Sequence, residues 1–282
     1  MKISVSTYSF GRYNSMGMLA LVDKTAELGL DGIEFVEGSY TGNEKELDAI
    51  HARIQEKGLV PVCYAVGADF INGSNGDLKD EIKRLQHEVD IAHRLGVGVM
   101  RHDVTGGIGG RKYSIGYDDA LPRLAEGILE VTKYAEQLGI KTCTENHGFF
   151  SQDAARVEKL INTVAHPNFG ALVDLGNFMC ADEDPWKSVG ILSPYAFHVH
   201  AKDFFRRAGD RTAPGDGWFQ TRSGDYLRGT IIGHGDARIS QSIQTLKRKG
   251  YDGFVSIEFE GIEDNLLGIE WGLKNLKRFI EA

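Results

Sequence analysis

Eight strand-like runs, each followed by a helix-like run, predict an α/β fold, a single (β/α)8 barrel over residues 1–282. Two further observations favour that over a doubly wound sheet. No shift in composition interrupts the alternation, and no glycine-rich phosphate turn follows an early strand, since neither Gly106-Gly107 nor Gly109-Gly110 fits that pattern. With 282 residues, 41% hydrophobic, the chain can bury a full core, and barrels of this size usually form one domain.

The first strand is Ile3 to Thr7, after which Leu19, Val22 and Ala26 recur at helical spacing up to Gly29. Gly32 to Val36 is the second strand. Leu47, Ile50 and Ile54 mark a helix ended by Gly58, and Leu59 to Tyr64 is the third strand, with Pro61 tolerable near its start. Leu78, Ile82, Leu85, Val89 and Ala92 form an amphipathic stripe closed by Gly96, before a fourth strand, Val97 to Met100. Leu121 to Leu138 carries another stripe, and Ile140 to Glu145 is the fifth strand. A helix through Val157 and Val164 precedes the sixth strand, Phe169 to Asp174. Pro185 to Leu192 is the sixth helix and the weakest pattern. The seventh strand is Phe197 to Asp203, Ile239 to Leu246 the next helix, Phe254 to Glu258 the eighth strand, and Leu266 to Ile280 the last helix.

A formal net charge of −8 argues against a nucleic-acid surface, which needs clustered positive charge. Cys63, Cys143 and Cys180 are odd in number and far apart, which suits a reducing cytosol. The N-terminus begins as an alternating strand with no long apolar run, so neither a signal peptide nor a membrane span is expected. The expected location is cytoplasmic.

The chemistry concentrates on strands five to eight. Alternation through Phe197-His198-Val199-His200-Ala201-Lys202-Asp203 puts His198, His200 and Lys202 on one strand face. Glu145, Asp174 and Glu258 each end a strand-like run, and strand C-termini converge on one rim of a barrel. Glu145 and Asp174 are 29 residues apart and Asp174 and His200 are 26 apart, about one βα unit each. Three carboxylates crowded on one rim repel unless a cation neutralises them. With one imidazole they suit a divalent ion: Mn²⁺ first, then Zn²⁺, Co²⁺ or Mg²⁺. The alternative is a salt-bridged rim in which Arg101 or Lys202 pairs the acids. His200 is nearer the strand end than His198, which is expected one layer deeper in a supporting role.

Thr144-Glu145-Asn146-His147, Leu172-Val173-Asp174-Leu175-Gly176-Asn177, His198-Val199-His200-Ala201-Lys202-Asp203 and Gly253-Phe254-Val255-Ser256-Ile257-Glu258 resemble the xylose-isomerase-like TIM barrels of the sugar phosphate isomerase/epimerase type. The resemblance covers almost the whole chain, including Gly32-Ile33-Glu34 and Gly233-His234-Gly235-Asp236. In the ketose 3-epimerase branch the matching Glu, Asp, His and Glu bind one divalent ion, and the two glutamates exchange the substrate proton. Carried over, the ligands are Glu145, Asp174, His200 and Glu258, with Glu145 and Glu258 catalytic. The branch also has an arginine six residues after the ligand histidine, matched by Arg206. It has a histidine where this chain has Asn177.

The resemblance implies a metal-dependent isomerase or epimerase of a small carbohydrate or keto-sugar, working by α-proton abstraction through a metal-stabilised enediolate. Further substrate contacts are expected from His147, two past Glu145; from His102, beside Arg101 at the end of strand four; and from Glu34 at the end of strand two. Each has a plainer alternative, as a loop histidine, a neighbour of a rim ion pair or an ion-pairing acid. The segment from Phe204 to Gly233 is too long for a simple connection; a lid, a solvated loop and a homo-oligomer contact through Trp218 and Phe219 are all open to it. The glycines at 106, 107, 109 and 110 suggest a second rim loop.

Rival functions are a metal-dependent lyase or dehydratase, a C-glycoside-cleaving subunit that needs a second chain, an AP-endonuclease-like activity and a non-catalytic sugar-binding barrel. The acidic balance disfavours the endonuclease, and the paired glutamates favour an enzyme over a binding protein.

Overall fold

The computed structural model describes residues 1–40, 42–107 and 116–282. Gly109 and Gly110 of the expected rim loop lie outside those residues. Seven parallel strands come first: β1 (Lys2–Ser6), β2 (Gly32–Val36), β3 (Val60–Val66), β4 (Val99–His102), β5 (Lys141–Glu145), β6 (Phe169–Asp174) and β7 (Ala196–Ala201). A meander of β8 (Asp203–Arg207), β9 (Phe219–Gln220) and β10 (Tyr226–Thr230) follows, and β11 (Phe254–Ile257) completes the sheet. β1 pairs in parallel with both β2 and β11, and β11 with β7, so the eight parallel strands close into the expected barrel.

Eight α-helices surround it among the described residues: α1 (Met18–Glu27), α2 (Glu44–Lys57), α3 (Leu78–Leu95), α4 (Tyr117–Gln137), α5 (Ala154–Val164), α6 (Pro185–Leu192), α7 (Ile239–Arg248) and α8 (Asn265–Glu281). α3 shows why these segments are helical. The Asp77 side chain accepts the N–H groups of Lys79 and Asp80 and caps the start, Leu85, Val89 and Ala92 bury one stripe, and Gly96 at φ 79 closes the end in the left-handed region. The weak sixth helix has the expected bounds. No helix among the described residues is long and apolar enough to cross a membrane, and all three cysteines are free and buried.

Strand alternation divides the barrel wall into two faces. Outward residues such as Val5, Ile33, Phe35, Met100, Ala171, Val173 and Val199 pack against the helices in one large core. A smaller apolar plug of Val62, Cys63, Cys143 and Leu172 lies apart from that layer. Glu34, Arg101, Glu145, Asp174, His198 and His200 are buried and polar, and they meet one another inside the barrel.

The long segment after β7 is neither a bare loop nor a coil. β8 and β10 pair antiparallel, with β9 on the far edge of β10. The guanidinium groups of Arg207 and Arg228 both lie over the Trp218 ring, 5.3 and 5.6 Å from its centre. Asp203 ties both ends of this excursion: its carboxylate accepts the N–H groups of Phe204, Gly233, Gly235 and Ala237 at 2.8 to 3.1 Å.

Candidate metal centre

Glu145 ends β5, Asp174 ends β6, His200 lies near the end of β7, and Glu258 follows β11. These strands stand side by side in the barrel, so their C-terminal ends bring the four side chains together. One donor atom from each lies within 4.8 Å of the others. His200 Nδ1 is 3.3 Å from Glu258 Oε2, 3.7 Å from Glu145 Oε1 and 3.9 Å from Asp174 Oδ2. Atoms that share one ion at about 2.0–2.2 Å stand about 3 to 4 Å apart.

Three of these atoms lack a hydrogen-bond partner although buried: His200 Nδ1, Asp174 Oδ2 and Glu258 Oε2. Unpartnered buried polar atoms are costly, and three of them facing one another fit a cation that would satisfy all three. The other atoms of the set are held. Asp174 Oδ1 accepts the N–H groups of Gly176 and Asn177, each at 2.7 Å. Asn146 locks the Asp174 backbone, accepting its N–H at 2.8 Å and donating to its carbonyl at 3.0 Å. The residues present therefore fit a divalent ion.

The ion-pair alternative also has a place. Arg101 reaches Glu145 Oε2 and Asp103 Oδ1, each at 2.7 Å. Lys202 Nζ is 2.7 Å from Glu258 Oε2, without hydrogen-bond alignment, and 3.2 Å from Glu260 Oε2. These cations flank the four donors and leave Asp174 Oδ2 and His200 Nδ1 unsatisfied. Burial pushes the Asp174 carboxyl up to about 7; Lys202 opposes this, while Glu145 and Glu258 add to it. Burial would also raise Glu145 and Glu258, but Arg101 holds the first below the usual carboxylate range, and Lys202 and His200 hold the second well below it.

The cavity over this cluster is about 300 Å³ and is lined by Glu145, His147, His200, Glu258, Arg101 and Lys202 among others. His147 is there as expected, its side chain 48% exposed, with Nδ1 donating to Asp103 Oδ1 at 3.0 Å. That hydrogen bond raises the imidazole above its usual range, outweighing the partial loss of solvent around it. Asn177 also reaches the cluster, where Nδ2 donates to Glu145 Oε1 at 2.9 Å, so its amide braces a carboxylate.

Three expected substrate contacts lie elsewhere. His102 is on the outward face of β4, because alternation turns Arg101 inward; its ring packs against Phe70 and Phe169 at 5.6 and 5.9 Å. Glu34 is inside the barrel but fully buried, on the far side of the His200 ring from the three carboxylates, with His200 Nε2 donating to it at 2.8 Å. Arg206 lines a neighbouring cleft of about 590 Å³ with Asp182, Asp225 and Asp236, and Asp225 takes its guanidinium at 2.5 Å. The antiparallel pairing of β8 with β10 carries it there. His198 is in the supporting position expected, its Nε2 donating to Glu34 at 2.8 Å and 3.0 Å from Ser256 Oγ. Tyr8, Asp103 and Glu260 line the cavity without having been singled out in the sequence. Asp103 and Glu260 each stand two residues beyond an inward-facing residue, which is the signal that could have found them.

The protein is thus a (β/α)8 barrel with a candidate metal centre at the C-terminal ends of four adjacent strands. Residues 22–279 match the xylose isomerase-like TIM barrel family, and the chain belongs to it. An inosose dehydratase of Lacticaseibacillus casei is 24% identical over 168 residues, which span 58% of this chain and 55% of that protein. This chain's match therefore covers little more than half of that relative's length. An inosose dehydratase of Histophilus somni is 23% identical over 246 residues, 80% of each chain. Among solved structures, D-psicose 3-epimerase from Clostridium cellulolyticum with D-tagatose superposes with a TM-score of 0.75 at 16% identity over all of both chains. An IOLI protein with a bound zinc atom gives 0.76 at 17% identity, over 100% of this chain and 98% of that one. At such identities these structures establish the fold.

Proposed function

We propose that this protein removes a proton from a carbon next to a carbonyl in a small polyhydroxylated substrate, a carbohydrate or keto-sugar, and returns it to give an epimer or isomer. Glu145, Asp174, His200 and Glu258 would hold a divalent ion, with Mn²⁺ the first to test and Zn²⁺ the second. The observation that carries this reading is the convergence of three buried donor atoms that lack a hydrogen bond, His200 Nδ1, Asp174 Oδ2 and Glu258 Oε2, of which only the last has an ion-pair partner in close contact, Lys202. The ion would polarise the carbonyl and stabilise the negative charge left by deprotonation.

Glu145 and Glu258 stand on β5 and just after β11, with β6 and β7 between them, and both face the cavity. One takes the proton and the other returns it. Arg101 keeps Glu145 ionised and fixes its direction, and Lys202 does the same for Glu258. Elimination of water is the second reading, because it also begins with loss of an α proton and because the Asp103–His147 pair supplies a group suited to protonate a departing hydroxyl. The dehydratase relatives support it and the epimerase neighbour supports the first.

The test is α-proton exchange in D₂O over ketoses, inososes and keto-glycosides, with product mass. Glu145→Gln and Glu258→Gln should each slow exchange by roughly 10²- to 10⁴-fold while the protein stays folded. Undiminished exchange in both variants sinks the glutamate roles. A product that has lost water selects elimination over epimerisation.

A further inference from the structure

Glu34 lies across the His200 ring from the carboxylate cluster and has no exposed surface. Its carboxylate accepts from two imidazoles at once. His200 Nε2 donates to Oε1 and Oε2 at 2.9 and 2.8 Å, and His198 Nε2 donates to Oε2 at 2.8 Å. The two rings meet edge to face at 5.6 Å. Behind them, Ser256 Oγ is 3.0 Å from His198 Nε2 and 2.6 Å from Ser4 Oγ, so the contacts run from β1 through β11, β7 and β2 to the candidate metal centre.

A neutral imidazole carries one N–H. A carboxylate that accepts it at Nε2 leaves Nδ1 with a bare lone pair, and His200 Nδ1 is the nitrogen that faces Glu145, Asp174 and Glu258. We propose that Glu34 is a positioning residue for the metal centre: by accepting N–H from His198 and His200 together, it fixes the tautomer and ring orientation of His200 and so sets metal affinity. The inference rests on the metal reading given above and assigns it a part no sequence pattern suggested.

The geometry selects against two other roles. Glu34, Cys63 and His198 also bring donor atoms within 4.8 Å, yet Glu34 Oε2 and His198 Nε2 are already spent on each other, so this trio is poorly placed as a second metal site. A role in substrate contact needs a face on the cavity, and Glu34 is fully buried. Glutamine is a weaker substitute, because it lacks the negative charge and puts a donor NH₂ where the His200 Nε2–H meets the second carboxylate oxygen.

Zinc affinity, measured by chelator competition on metal-free wild type and Glu34→Gln, tests the proposal alongside thermal unfolding of both. The variant should bind zinc roughly 10- to 100-fold more weakly, the usual effect of removing a partner of a metal-bound histidine. Wild type that binds zinc and a folded variant that binds it equally well overturns the Glu34 role and leaves the metal reading standing. Wild type that binds no zinc overturns both. A second measurement needs no variant, so it holds even if Glu34→Gln does not fold. Nitrogen-15 correlation spectra of the zinc-loaded wild type should show the proton of His200 on Nε2 and the metal on Nδ1, and the reverse tautomer overturns the proposal.

Discussion

His102 and His200 are both completely enclosed, 0% and 1% exposed, yet the two faces of the barrel wall drive them in opposite directions. His102 faces outward between Phe70 and Phe169, where burial brings its imidazole down to about 4. His200 faces inward, where burial would do the same, but Glu34 and Glu258 outweigh it and hold the ring well above the usual range. Burial alone does not say what an enclosed histidine does. The charges within reach decide whether it stays neutral among apolar rings or carries a proton that a metal ion must displace from Nδ1 before it can bind.

The largest effect expected on the inward face comes from His200→Ala, which removes one donor of four. Zinc affinity should fall by more than about a hundredfold, beyond the loss expected from its supporting groups. His198→Ala should keep most of the metal and instead lose roughly 1–3 kcal/mol of stability through the polar contacts it leaves unmade. Metal analysis and urea unfolding of the two variants read this contrast. The opposite pattern would place the ligand on strand seven at the wrong histidine.

On the outward face the signature is pH-dependent stability. Unfolded His102 takes a proton near ~6.5, whereas folded His102 does so only at about 4. Between those values the unfolded chain binds more protons, so stability is full above the upper value and is lost as pH falls toward the lower one. The contribution is about 3 kcal/mol at most. Urea midpoints of wild type and His102→Gln at several pH values should show a shallower acid loss in the variant. Equal slopes would mean that the ring is not held neutral by its surroundings.

Arg206→Ala should do least. Its guanidinium is about two-fifths exposed and pairs with Asp225 outside the metal cavity, and exposed ion pairs contribute roughly 0–1 kcal/mol. Zinc affinity should be unchanged and proton exchange altered by no more than a few-fold. A thousandfold fall in exchange would return this arginine to the substrate.

Much of the barrel could be read from the chain because helix stripes such as Leu85, Val89 and Ala92 and stops such as Gly96 are local signals. Glu145, Asp174 and Glu258 were legible for a similar reason, since each closes a strand-like run and the barrel brings strand ends together. His102 was misplaced because two polar residues in a row at a strand end do not say which faces in. Glu34 sits where the β2–β3 register slips between Ile33 and Glu34, and a strand end does not reveal depth. Arg206 was drawn toward the site by its spacing from His200, but the chain turns into an antiparallel sheet after β7, a non-local pairing that spacing does not encode.

The carboxylate of Asp203 also has an evolutionary meaning. Because it grips Phe204 at one end of the β8–β10 excursion and Gly233, Gly235 and Ala237 at the other, one carboxylate clasps both ends of what lies between. Doubling the length of a flexible loop between fixed ends costs only about 0.6 kcal/mol. The connection between β8 and β9 can therefore be lengthened or trimmed at little cost among descendants of this barrel while β7, with His200 three residues before the clasp, keeps its place.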